Sequence, residues 1–83
     1  MSKKAAEHHK KASEHFMRAA RHHDEASKYY DTGEHTMAAH HAHTARGHVV
    51  QARWHEEEAA KAHVEEYSAL SIPIEKLNAS NDD

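Results

Sequence analysis

From Ala5 to Thr32 the chain is one seven-residue word written four times: AAEHHKK, ASEHFMR, AARHHDE, ASKYYDT. Alanine opens each word, and histidine, or finally tyrosine, stands fourth. Seven residues make about two turns of α-helix, so Ala5, Ala12, Ala19 and Ala26 fall on one line, with His8, His15, His22 and Tyr29 beside it. A chain with this pattern forms a helix and buries that seam against another helix, with histidine where leucine normally stands. A second run repeats the word more loosely, with Ala38, Ala45, Ala52 and Ala59 seven apart and His41, His48 and His55 three after the first three of them.

The break between the runs is "YYDTGEH", where Asp31, Thr32 and Gly33 are cap and turn residues. A connection this short folds the runs back as an antiparallel hairpin. The expected fold is all-α: a hairpin over residues 1–67, with helix 3–31, turn 31–34 and helix 34–67. Gly47 inside the second run reads as a close helix contact rather than an end. Residues 68–83 form a C-terminal extension, in which Pro73 starts a short helical turn, Leu70, Ile72, Ile74 and Leu77 cap one end of a bundle, and "NASNDD" is frayed.

With the hairpin centre between Gly33 and Glu34, His8 is level with Ala59, His55 with Ala12, His15 with Ala52, His48 with Ala19, His22 with Ala45, and His41 with Ala26. Tyr29 is level with Ala38. Every ring meets an alanine, which lets the backbones approach and makes room for the ring. Along the seam the order becomes His8, His55, His15, His48, His22, His41, with successive rungs from alternate helices and roughly 5 Å apart in height.

Composition narrows what such a seam is for. The chain has 83 residues, of which 37% are apolar, and alanine supplies most of these. That is one small domain with a thin core, which needs a metal, a disulfide or a partner chain. There is no cysteine, so disulfides and thiolate metal sites are excluded. The net charge is −3 with histidines neutral, and protonating all 12 histidines takes it to +9. Acidic and basic residues are interspersed, so no nucleic-acid patch is expected. No stretch is apolar enough for a signal peptide or a membrane span, and the expected location is cytoplasmic.

Two imidazoles on opposite helices, one rung apart, can reach a shared ion, whereas seven residues along one helix span roughly 10 Å and cannot. The expected metal ligands are therefore His8, His15, His22, His41, His48 and His55. His9, His23 and His63 lie beside the seam as helpers. Glu25, Glu58 and Glu66 each follow a histidine by three and share its helix face. His40 and His43 are the one pair at chelating spacing on a single helix. Imidazole and carboxylate without thiolate suit a divalent transition metal, with zinc, copper and nickel all open. A bis-histidine haem is weaker, because the chain lacks CxxCH and large apolar wall residues.

Other chemistry is harder to find. Glu56, Glu57 and Glu58 read as a solvated acidic face, and Trp54 as a packing anchor in a subunit interface. The Glu-x-x-His pairs on facing helices that a di-iron bundle requires are not expected from "EHTMAAH" or "EEYSAL". No nucleophile arrangement and no phosphate loop is legible, so an enzyme is not expected. Phe16, Tyr30 and Val49 sit one position past the seam and widen it toward a second hairpin, which predicts a homodimer making a four-helix bundle.

The stretch "MAAHHAHTARGHVVQARWHEEEAAKAHVEEY", with "AAEHHKKASEH" before it, resembles a family of short, histidine-rich helical proteins of bacteria built on Ala-x-x-His-His words. The likeness covers residues 5 to 67 and is most specific over "AAHHAHTARGH", Ala38 to His48. It implies a cytoplasmic bacterial helical protein and brings no activity with it. This chain departs from the pattern at Arg46, Arg53 and Trp54, where the relatives are richer in histidine. The leading expectation is binding of divalent transition metal as a buffer, store or carrier. The alternative is a non-catalytic structural or stress-response bundle whose core histidines respond to pH.

Overall fold

A computed structural model describes residues 2–69. It contains two antiparallel helices packed along their length, α1 Lys3–Asp31 and α2 His35–Ala69. The expected short helix around Pro73, the apolar cap from Leu70 to Leu77 and the frayed end lie outside the described residues.

α1 starts because Ser2, in extended conformation, accepts a hydrogen bond on its hydroxyl from the Ala5 N–H at 3.2 Å. This satisfies one of the free donors at the helix start. The run that follows has neither glycine nor proline and is filled with good helix formers. It ends in a Schellman turn, where the Glu34 N–H donates to the Tyr29 carbonyl at 2.9 Å and the Gly33 N–H to the Tyr30 carbonyl at 3.2 Å. Gly33 takes φ +81°, a value open to glycine at little cost. The Glu34 carbonyl then accepts from the Ala38 N–H at 3.1 Å, so the chain reverses within three residues and α2 begins.

α2 runs through Gly47 without interruption. A side chain built at Gly47 would meet nothing within 4 Å, so this glycine does not mark the close helix contact its position suggested. It leaves a shallow dent beside Thr44 and Gln51 on the exposed side of α2.

Among the described residues the buried core is alanine alone: Ala12, Ala19, Ala26, Ala38, Ala45, Ala52, Ala59 and Ala62. Seven of these are the heptad alanines, and Ala62 takes the ring position of the last word of α2. No large side chain is fully buried. Phe16, Met17, Tyr30, Met37, Val50, Trp54 and Val64 are exposed. The hairpin thus spends its interior on close backbone approach and half-buried rings, and leaves most of its large apolar groups outside.

Candidate metal centre: a column of paired imidazoles

The rings of the seam form one continuous column in the order His8, His55, His15, His48, His22, His41, Tyr29. Its links alternate in kind. His8 and His55 meet through their Nδ1 atoms at 2.9 Å, His15 and His48 at 3.0 Å, and His22 and His41 at 3.0 Å. Between these pairs the rings stack. His55 lies on His15 and His48 on His22, each with centroids 5.7 Å apart and planes 13° from parallel. Tyr29 closes the column on His41 at 5.5 Å and 5°. At the other end the Trp54 indole stands edge-on to His8 at 5.7 Å and to His55 at 4.9 Å.

The heptad explains the alternation. A ring on α1 has two neighbours from α2, one about four residues further along the hairpin and one about three residues back. The wider step gives the Nδ1 contact, and the narrower one the stack. Each seam histidine therefore has one hydrogen-bonded and one stacked partner, except His8, whose stacking position falls on Ala62 and whose ring Trp54 meets edge-on.

A hydrogen bond between two neutral imidazoles has a definite tautomer requirement. One ring must carry its proton on Nδ1 and donate, while the other must carry it on Nε2 and accept. At pH 8, long-range ¹H–¹⁵N spectra should therefore show three seam histidines as Nδ1–H tautomers and three as Nε2–H. Six Nε2–H rings would contradict the paired geometry.

Protonation is resisted at His15 and His22. His15 is held below the ordinary imidazole range by partial burial, then by the neighbouring charge of His48 and by Arg18. His22 is held down by partial burial, then by His41 and His48. A pair with one extra proton keeps its hydrogen bond, whereas a pair with two presents donor to donor.

The expected helper groups lie beside the column rather than in it. His9, His23 and His63 are exposed and outside the column, and His63 stands edge-on to Tyr67 at 4.2 Å. His9 and His63 line one groove with Glu56 and Glu66 at the open end of the hairpin. Glu58 accepts from Lys61 at 3.1 Å, which holds its carboxyl below the usual range, and Glu25 accepts from Lys28 at 3.5 Å. These carboxylates follow their histidines by three; each binds the lysine three residues further on, while Glu25 still acts on His22 and Glu58 on His8 through its charge. His40 and His43 are exposed, and His40 meets His41 edge-on at 5.5 Å rather than forming a chelate with His43.

Each pair thus brings two nitrogens together, and successive pairs on one helix are seven residues, or roughly 10 Å, apart. Among the described residues no group of three or more histidines, aspartates or glutamates is placed to hold a metal ion. No helix there is long and apolar enough to cross a membrane. Sequence reasoning missed Trp54 as an edge-on neighbour of the His8–His55 pair, although its position next to His55 is the signal. Comparison of the chain with protein-family models, with curated proteins and with solved structures finds no match.

Proposed function

We propose that the chain binds divalent transition metal at its three imidazole pairs, in a hairpin that dimerises into a four-helix bundle, and that it acts as a buffer or carrier. The Nδ1–Nδ1 separation of 2.9–3.0 Å carries this reading. Two nitrogens at about 2.0–2.1 Å from an ion and at right angles to each other are roughly 2.8–3.0 Å apart. In a tetrahedron they are roughly 3.3 Å apart. Both lie within a small side-chain shift of the observed separation, so zinc, copper and nickel can all be accommodated.

Two protein nitrogens leave the other positions to water or to a delivering or receiving ligand. That suits exchange rather than permanent structural binding. Binding through Nδ1 requires both rings of a pair to carry their proton on Nε2, so the donor ring changes tautomer as the ion enters.

Calorimetric titration of metal-free, untagged protein with copper, nickel and zinc tests this reading. The expected result is at least three ions per chain, with copper the tightest. Replacing His15 and His48 together by alanine should remove one ion per chain, while His40 and His43 to glutamine should remove none. Weak, fractional binding shared by wild type and all variants would overturn the reading.

One observation favours a second function. The pairs are already satisfied by hydrogen bonds without an ion, so a column that serves as a structural, pH-responsive core accounts for the same geometry.

A further inference from the structure

The repeated words contain a second seam. In α1 each word begins with two small residues and carries two rings at its fourth and fifth positions. The first small residue and first ring of each word are the ones packed against α2. The second set, Ala6, Ser13, Ala20 and Ser27 with His9, Phe16, His23 and Tyr30, repeats the same small-plus-ring pattern one residue on, which turns it about 100° around the helix. All eight residues are exposed. One face of α1 therefore holds a helix through this pattern, and the adjacent face displays the pattern with none of the described residues packed on it.

We infer that the exposed seam of α1 docks the same seam of a second copy, antiparallel, with a twofold axis level with Arg18. This deepens the dimer part of the proposed function and does not depend on the metal part. In that register every ring meets a small residue, as in the α1–α2 seam: His9 the partner's Ser27, Phe16 the partner's Ala20, His23 the partner's Ser13, and Tyr30 the partner's Ala6. No other register engages all four words.

Charge selects the same direction. The exposed row flanking this seam reads Lys3, Lys10, Met17, Asp24, Asp31. Antiparallel pairing sets Lys3 near the partner's Asp31, Lys10 near the partner's Asp24, and Met17 near the partner's Met17. Parallel pairing would set lysine beside lysine and aspartate beside aspartate. Val49 of α2 comes level with the axis, so the 100° turn between the seams brings the two α2 helices together and closes a four-helix bundle.

The dimer also makes rungs that neither chain has alone. His9 stands to the partner's His23 as His8 stands to His55, on opposite helices and four residues apart in height. Two further imidazole pairs form in this way, one on each side of a Phe16–Phe16 contact at the axis. The two histidines that lie idle on the hairpin surface thus gain the partner chemistry of the core.

Sedimentation equilibrium of the full chain in EDTA tests this, so that failure of metal binding cannot affect it. Wild type should sediment as twice 9.4 kDa. Lys3→Asp with Lys10→Asp, and separately Asp24→Lys with Asp31→Lys, should each weaken self-association at least tenfold. A mixture of the two variants should recover wild-type affinity. These exposed positions lie off both seams, so the hairpin itself should keep its helicity, and each monomeric variant should still take up metal at its core pairs. A spin label at Lys4→Cys should report about 42 Å across an antiparallel dimer. A monomer at millimolar concentration, association indifferent to the charge reversals, or a short distance between labels at position 4 would overturn the inference.

Discussion

Acidification from pH 8 to pH 5 should lower the melting temperature of the metal-free hairpin. His15 and His22 are held below the ordinary imidazole pKa of 6.5 in the folded chain. The unfolded chain therefore binds more protons than the folded one once pH falls below that value. Stability is fully present above pH 6.5 and drains away as pH falls from there toward the lowered folded pKa values. The whole-molecule charge acts in the same direction, because histidine protonation carries the chain from −3 toward +9. Thermal melts followed by circular dichroism across this range are the check, and a melting point unchanged between pH 8 and pH 5 would refute it. If metal occupies the pairs, the same scan with copper present should keep its high melting point to lower pH until protons displace the ion.

Ala45→Leu should destabilise the hairpin by about 1–3 kcal/mol, a fall of about 5–15 °C in melting temperature. Ala45 is fully buried. It lies on α2 between His41, which bonds His22, and His48, which stacks on His22. Leucine has nearly the helix propensity of alanine, so the effect comes from volume and not from the helix itself. The added carbons must push the helices apart or displace the His22 ring. The tautomer signature of the His22–His41 pair should disappear with the stability, while the more distant His8–His55 pair should keep its own. In an ordinary leucine-rich seam the same change would fill space and stabilise. A raised melting point would mean that the alanine seam is loosely packed and does not set the ring geometry.

Much of this arrangement is legible in the heptad alone. A small residue and a ring repeating every seven positions on two runs joined by a turn admit an antiparallel helix pair, and the turn at Gly33 sets the register to within a rung. The order of rings from His8 to His41 then follows from arithmetic on the sequence, because rings from opposite helices must interleave where alanines make room.

Tertiary structure decided the rest. The wider and narrower steps between helices determine which neighbours exchange an Nδ1 hydrogen bond and which stack, so six similar histidines became three pairs. Glu25 and Glu58 carry the helical spacing that brings them to a histidine's face, but each also has a lysine three residues further on, and the packed structure shows that lysine as the hydrogen-bond partner. Gly47 looked like a point of close approach and proved to face open space, since the close approach is supplied by the buried alanines one seam away. The heptad by itself determined that this chain makes a helical hairpin with rings along its seam. Only the packing of the two helices decided which nitrogens face each other, because a difference of one residue in height separates a hydrogen bond from a stack.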